Sequence, residues 1–374
     1  MPDKPLRIAL SGYYGCGNTG DEAVLAGIVE SFRARTGEEA AVFTVLSADP
    51  ADTKRRHGLA AVDRMRFPIV RETLRNSDLL ISGGGSLLQD TTSVRSLVYY
   101  LAIVRMGIKA GVPVMFYAQG IGPLRRPISR FLTKITANKV SCITVRDSAS
   151  RDLLKRIGVD KPPIEVTADP AYALRGPSAE RTSEIRDRAG IKDGERTVGF
   201  ALRRWEMPGS PGAEQFAEAA DCIVEQTGSK IVFIPMQPPD DSNYSNEVVS
   251  RMKRRDMAVV VEEPLSPQET LGLVGSLNAL AAMRLHALIF AAAAGGVPIT
   301  AFSYDPKVTQ LMKGLGQDAY NIELSGFTPS EAAQRVNSAL NQDSEMLWRL
   351  RESSSHMHQL ALSNVDFALK AARR

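Results

Sequence analysis

Arg7-Ile-Ala-Leu-Ser-Gly-Tyr-Tyr-Gly-Cys-Gly-Asn-Thr-Gly-Asp-Glu22 passes from a short apolar run into a turn with glycine at 12, 15, 17 and 20. A helical pattern follows over Asp21–Ala34. Strand, glycine turn and helix in that order open a parallel α/β unit buried on both faces. Apolar runs recur at Ala41–Leu46, Leu79–Ser82, Val114–Ala118, Ser141–Val145 and Ile164–Thr167, with helical patterns such as Pro127–Asn138 between them. A polar stretch, Asp169–Gly194, then interrupts the alternation, and Arg175-Gly-Pro-Ser178 reads as the linker. Strand-like runs resume at Thr197–Ala201, Lys230–Pro235, Met257–Val261, Ala279–Ala282 and Ile299–Phe302. Thr328-Pro-Ser-Glu331 reads as a capping box, and Ser344–Ala372 as one or two amphipathic helices. At 374 residues the chain is too long for one ordinary core. The expected fold is α/β, with two tandem Rossmann-like domains facing across a cleft. Residues 1–175 form the first, and residues 176–374, C-terminal helices included, form the second.

Composition narrows the function. The net charge is 46 − 42 = +4, and no dense basic patch interleaved with aromatics is present, which argues against a nucleic-acid partner. Three dispersed cysteines, Cys16, Cys142 and Cys222, give no CxxC pair and no metal-ligand spacing. A reducing cytoplasm, no metal and no cofactor are expected. No signal peptide is visible, and Arg105, Lys109 and Pro113 interrupt the most apolar stretch, Leu97–Met115. Arg125, Arg126 and Arg130, beside Ile128, Phe131 and Leu132, allow a membrane-seeking helix. An ordinary core-facing helix with a solvated basic face fits them somewhat better.

Ligands of open α/β sheets bind outside the carboxyl ends of the strands. Gly15-Cys-Gly-Asn-Thr-Gly20 fits the dinucleotide pattern literally, but Asp21 and Glu22 at the helix start would repel a pyrophosphate, and no Walker lysine follows. Asn18 and Asp21 suit helix capping or sugar hydroxyls equally. In Asp78-Leu-Leu-Ile-Ser-Gly-Gly-Gly-Ser-Leu-Leu-Gln-Asp90, Gly84 and Gly85 would let a ligand approach backbone, with Ser86 and Gln89 nearby. Asp90, like Asp21, is a candidate to orient hydroxyls. Ala118-Gln-Gly-Ile-Gly-Pro123 ends a third strand in the same way, and adds Gln119.

Cations also follow strands: Arg146, Arg203, Arg204, Arg284 and Lys307. Several fixed cations suit a small substrate with more than one oxyanion. Local alternatives stand beside each: an ion pair with Asp147 for Arg146, a solvated turn for Arg203 and especially Arg204. Lys307 at a helix start opposes the helix dipole, a conflict typical of functional positions. Of four histidines, only His286 lies at a strand-to-helix junction; His57 falls in a polar segment, and His356 and His358 in the last helical stretch.

Gly12–Glu22, Ser82–Asp90, Ala118–Pro123 and Met283-Arg-Leu-His-Ala287, in that order, resemble the polysaccharide pyruvyl transferase family. Ser303-Tyr-Asp-Pro-Lys-Val308 is similar to its CsaB branch. The resemblance implies a GT-B-like fold and ketal-forming pyruvyl transfer from phosphoenolpyruvate as co-substrate, with the donor held largely by the C-terminal domain. It implies a lipid-linked glycan acceptor carrying N-acetylmannosamine, a product that anchors S-layer proteins, and work at the inner face of the plasma membrane. By motif match, His286, Arg146 and Lys307 inherit catalytic roles, and Arg284, Arg203, Arg146 and Lys307 the donor. Gly15, Asn18, Asp21, Gly84, Gly85, Ser86, Gln89 and Gln119 fall to the acceptor. Where family members follow the first arginine with proline and tryptophan, Arg204 here precedes Trp205. Two other functions fit the same architecture. One is a glycosyltransferase with a nucleotide-sugar donor, its ribose gripped by Glu262 or Glu263. The other is a non-catalytic sugar- or anion-binding protein.

Overall fold

The computed structural model describes residues 4–91, 93–207 and 209–373. The chain divides into two compact units: one runs to Leu174 and resumes at Met357, and the other is Arg175–His356.

The first unit holds strands β1 (Leu6–Ser11), β2 (Ala41–Ser47), β3 (Ala60–Asp63), β4 (Leu79–Gly83), β5 (Val114–Gln119), β6 (Cys142–Val145) and β7 (Ile164–Val166). They form one parallel sheet in the order β3-β2-β1-β4-β5-β6-β7. Successive side chains of β4 show why its sequence is apolar throughout. Leu80 enters the core on one face with Leu97, Val104 and Phe116, while Leu79 and Ile81 enter the core on the other with Leu25, Phe32 and Tyr117. The edge strand β3 has no fully buried residue, and its short run of small apolar residues, Ala60-Ala61-Val62, is not among the strand-like runs read from the sequence.

The second unit repeats the plan with β8 (Thr197–Ala201), β9 (Lys230–Phe233), β10 (Ala258–Val260), β11 (Ala279–Ala282), β12 (Ile299–Ser303) and β13 (Asn321–Glu323), ordered β10-β9-β8-β11-β12-β13. Edge-to-face rings fix one side of its core: Phe302 lies 5.4 Å from Phe216, 5.6 Å from Phe327 and 6.1 Å from Phe200. Thr328 Oγ1 accepts the Glu331 N–H at 3.2 Å and starts the helix Pro329–Leu340. In each sheet the order reverses once, between β1 and β4 and between β8 and β11, and these switch points are where a crevice opens at the strand ends.

Two expectations are corrected. The C-terminal helices do not all belong to the second unit. The final helix, Ser344–Ala372, passes into the first, where Val365, Ala368 and Ala371 join the Leu25–Tyr117 core. Fully buried Asn364 there accepts a hydrogen bond from Thr167 Oγ1 at 2.8 Å and donates to the Ala168 carbonyl at 3.3 Å. The boundary fails because an apolar stripe on a helix does not say which core it enters. The core-facing reading of Pro127–Ala137 holds only in part: the helix packs on the core through small residues and partly buried Leu132, and not through Ile128 and Phe131. Ser129, Thr133, Thr136 and Ala137 face inward, while Ile128 and Phe131 are 53 % and 56 % exposed beside exposed Arg125, Arg126 and Arg130. No described helix is long and apolar enough to cross a membrane.

Ending the chain after His356 removes Asn364, Val365 and Ala368 from the first unit. In calorimetry that unit should lose its cooperative transition while the second unit's persists; an unchanged first-unit transition would refute the assignment of the tail.

Candidate active-site residues in each unit

The glycine turn after β1 is folded around its own backbone donors. Asn18 caps the helix Thr19–Thr36, accepting the N–H groups of Gly20 at 3.0 Å and Asp21 at 3.2 Å. The Gly15 N–H donates to Glu22 Oε1 at 2.8 Å, and the other carboxylate oxygen lies 2.8 Å from His57 Nε2. Both of those side chains are enclosed, so His57, read from the sequence as part of a polar segment, belongs to the floor of this turn. Gly15 has φ +70°, and a Cβ there would stand 2.1 Å from Ser47 Oγ.

β4 ends beside this turn. The Gly84 N–H donates to the Tyr117 carbonyl at 2.9 Å, and a Cβ on Gly84, where φ is +64°, would reach within 1.7 Å of Val24. A Cβ on Gly85 would meet Asp21 Oδ1 at 2.7 Å. The turn's carboxylate and the triple-glycine strand end therefore share one crevice. Further along, Arg146 after β6 pairs with Asp169 at 2.6 Å and donates to Ser86 Oγ at 3.1 Å, with both charged side chains over nine-tenths buried. Its Nε would lie 2.8 Å from a Cβ on Gly120, so that glycine makes room for the guanidinium. Asp147 instead caps the helix Ser148–Arg156 through the Ser150 N–H, so the local-pair reading of Arg146 gives way to Asp169.

Gln119 and Gln89 stand apart from that group. Gln119 is completely buried, and its Nε2 ties β5 to β4 through the Ser82 carbonyl and hydroxyl, each at 2.8 Å. Gln89 Oε1 accepts the Thr91 N–H at 2.7 Å. Asp90 accepts the N–H groups of Arg125 and Arg126, each at 2.8 Å. Burial pushes its carboxyl up, and these two bonds prevail and hold it below the ordinary aspartate range.

In the second unit Arg203 and Arg284 follow the two switch-point strands. The Arg203 guanidinium lies 5.5 Å from the Trp205 ring and 5.6 Å from the Tyr304 ring, donates to Tyr304 Oη at 3.4 Å, and keeps an enclosed Nε without a hydrogen-bond partner among the described residues. Arg284 grips the carboxylate of Asp241 with two nitrogens, Nε at 2.9 Å, and reaches Gln237 Oε1 at 3.4 Å. Asp241, 1 % exposed in that pair, also accepts the Met236 and Gln237 N–H groups at 3.1 and 3.0 Å. His286 lies in the first turn of the helix Leu285–Ala293, with Nε2 shielded from solvent. Lys307 lies in the first turn of Pro306–Gly314, which Asp305 caps through the Lys307 N–H at 3.0 Å. Beside Trp205 and Tyr304 a cavity of about 630 Å³ opens over Ser303, Asp305 and Glu323. None of Arg284, His286 and Lys307 lines it. Arg204 turns to Glu247, as a solvated turn requires, and Glu263 pairs with Arg188 at 2.8 Å.

Two parallel α/β units with polar groups at their switch points define the GT-B-like class, and comparison with solved structures agrees. A putative UDP-N-acetylglucosamine 2-epimerase from Listeria monocytogenes aligns over 99 % of this chain and 97 % of its own, with a TM-score of 0.66 at 12 % identity. The E. coli ADP-heptose lps heptosyltransferase II aligns over 90 % and 99 %, with a TM-score of 0.55 at 14 % identity. These likenesses concern the fold. Within that class, residues 18–306 match the family described as polysaccharide pyruvyl transferase, and the chain belongs to that family. The amylovoran biosynthesis protein AmsJ of Erwinia amylovora is 20 % identical over 91 % of this chain and 94 % of its own length.

Breaking a buried pair by neutralising one partner strands the other charge. Asp241→Asn should lower stability by about 3–5 kcal/mol in urea unfolding, and pairing it with Arg284→Met should recover much of the loss. Equal losses in the single and double variants would deny the coupling.

Proposed function

We propose that the chain transfers the pyruvyl group of phosphoenolpyruvate, as a ketal, to a sugar of a lipid-linked envelope glycan precursor, with N-acetylmannosamine as that sugar and S-layer anchoring as the use of the product. The observation that carries this reading is a series of cations with one imidazole at neighbouring strand ends of the second unit in a member of this family: Arg203 after β8, Arg284 and His286 after β11, Lys307 after β12. A proton adds to the methylene carbon of the enol, and a sugar hydroxyl oxygen bonds to the adjacent carbon and gives up its proton. Inorganic phosphate leaves with the C–O electron pair. A second hydroxyl then closes the ketal and loses its proton. His286 is the proton-transfer group, since an imidazole both gives and takes protons. Arg284 and Lys307 hold the carboxylate and phosphate and stabilise the departing charge, and Arg146 keeps the catalytic role that its motif implies. The glycine-bearing strand ends of the first unit, with Asp21 and Ser86, hold the sugar. The scheme draws on no metal and no cofactor.

Phosphate release from phosphoenolpyruvate should therefore depend on a synthetic N-acetylmannosamine–N-acetylglucosamine diphosphate-lipid analogue and persist in EDTA. A matching mass gain should appear on the sugar. His286→Ala should lower the rate by about 10²–10⁴-fold without shifting the melting midpoint. Turnover near normal in that variant would remove His286 from the mechanism. Transfer from a nucleotide sugar in place of phosphoenolpyruvate would replace the whole reading by the glycosyltransferase one, and phosphoenolpyruvate binding without release would replace it by the non-catalytic one.

A lipid-linked acceptor brings the enzyme to the inner face of the membrane. The outward face of Pro127–Ala137 supplies apolar Ile128 and Phe131, with Arg125, Arg126, Arg130 and Lys134 exposed around them and no acidic residue in the helix. A hollow of about 490 Å³ lies between this helix and Leu153, Arg156 and Ile157. Such a face joins apolar insertion to attraction for anionic headgroups. Wild-type chain should sediment with phosphatidylglycerol vesicles at low salt. Phe131→Asp should reduce the bound fraction severalfold, and neutral phosphatidylcholine vesicles should retain little; equal retention by the variant would exclude this face.

A further inference from the structure

Half-buried Arg64, absent from the sequence-based candidates, differs from Arg146 and Arg284 at the strand ends. It follows β3 at the carboxyl edge of the first sheet, its N–H donating to the Ser47 carbonyl at 2.9 Å and its own carbonyl accepting from Tyr99 Oη at 3.1 Å. Its guanidinium carbon lies 5.7 Å from the centre of the Tyr13 ring and 5.8 Å from that of Tyr99. Tyrosine faces hold a cation in place without neutralising it. Nη1 is enclosed and, among the described residues, has no hydrogen-bond partner. Arg146 and Arg284 are each matched by a buried aspartate. Arg64 is not: Asp63, next in sequence, spends one oxygen on the Met65 N–H at 2.8 Å and pairs through the other with Arg66 at 3.6 Å.

An enclosed N–H of a permanently charged group calls for an acceptor, and the described protein atoms supply none. The surroundings say where that acceptor would come from. Tyr13 and Cys16 belong to the glycine turn after β1, and Tyr100, next to Tyr99, donates from Oη to the Gly12 carbonyl of the same turn at 3.4 Å. Arg64 thus stands beside the turn to which the proposed function gives the sugar.

We propose that Arg64 is an oxyanion-binding residue of the first unit and takes a phosphate of the acceptor's diphosphate. The assignment of that phosphate to the acceptor rests on the proposed function; the oxyanion site itself does not. Inorganic pyrophosphate, titrated calorimetrically into the full chain with saturating phosphoenolpyruvate present, distinguishes the two phosphate sources. Wild type and Arg66→Gln should bind alike, whereas Arg64→Gln should weaken pyrophosphate at least tenfold and leave phosphoenolpyruvate affinity unchanged. In wild type, pyrophosphate but not phosphoenolpyruvate should shield Arg64 from phenylglyoxal, read by peptide mass, which tests the site even if Arg64→Gln does not fold. In transfer assays Arg64→Gln should raise KM for a diphosphate-linked acceptor and not for the same disaccharide with a neutral aglycone. Unaltered pyrophosphate binding in Arg64→Gln, or no binding by wild type, would overturn the site. A parallel loss of phosphoenolpyruvate affinity would overturn the acceptor assignment. Pyrophosphate binding that follows Arg64 in a chain with no transfer activity would uphold the oxyanion site and bring down the catalytic reading.

Discussion

A guanidinium cannot shed its proton when it is enclosed, so it is tolerated only where something answers its charge. That constraint organises both strand-end edges. Asp169 answers Arg146, and its other oxygen accepts the Ala171 N–H at 3.1 Å, fixing the turn Pro170–Ala173. That turn packs so closely on the first helix that a Cβ on Gly27 would lie 2.1 Å from the Pro170 carbonyl oxygen, and His358 of the final helix donates to the Tyr172 carbonyl at 2.8 Å. One ion pair therefore joins a proposed catalytic residue to the last turn before the linker and to the returning tail. In the second unit Asp241 does comparable work, holding Arg284 while accepting the Met236 and Gln237 N–H groups at the end of the segment after β9. Each pair fixes its arginine in a set orientation, which is what bidentate recognition of a small carboxylate or phosphate requires.

The glycines serve the same geometry from the other side. Gly120 leaves space for the Arg146 guanidinium, Gly84 lets β4 end against Val24, and Gly85 admits the Asp21 carboxylate. One departure from easy backbone geometry lies in this region: Ala118 has φ +47°, and the β5–β6 register slips between Phe116 and Gln119. The slip sits at the last residues of β5, immediately before Gly120 and across from the start of the Arg146 segment, a placement common for bulges that re-aim side chains beside functional crevices.

Much of the fold was legible because its signals are local. Runs such as Leu79–Ser82 and Ala279–Ala282 are apolar on both faces, and glycines follow several strands, so a pair of doubly covered parallel sheets could be read directly. The cationic positions were legible for the same reason: Arg146, Arg203, Arg284, His286 and Lys307 all follow strands. Their partners were not. Asp169 lies 23 residues beyond Arg146 and Asp241 lies 43 residues before Arg284, and nothing in either local sequence signals the match. His57 was hidden by its company, since Arg55 and Arg56 mark a polar surface while His57 itself turns inward to Glu22. Arg64 follows a short edge strand of small residues that was not read as a strand. The outward placement of Ile128 and Phe131 was missed because both suit a core until Ser129 and Thr133 are seen to occupy the inner face.

Gly15-Cys-Gly-Asn-Thr-Gly20 shows why a spacing pattern alone does not make a phosphate site. In a dinucleotide fold the free N–H groups at the helix start meet the pyrophosphate. Here the Gly20 and Asp21 N–H groups are taken by the Asn18 side chain and the Gly15 N–H by Glu22, so these donors are satisfied within the turn. Glu22 in turn faces His57 in an enclosed contact, which keeps its carboxylate in place beneath the turn. With these donors engaged, recognition at this edge passes from backbone amides to side chains. Asp21 is the residue to which the proposed function gives sugar hydroxyls, and for an anion at the same edge a side-chain cation takes the place of these three amides. Arg64, held between tyrosine rings beside that turn, is the guanidinium there with no carboxylate matched to it among the described residues.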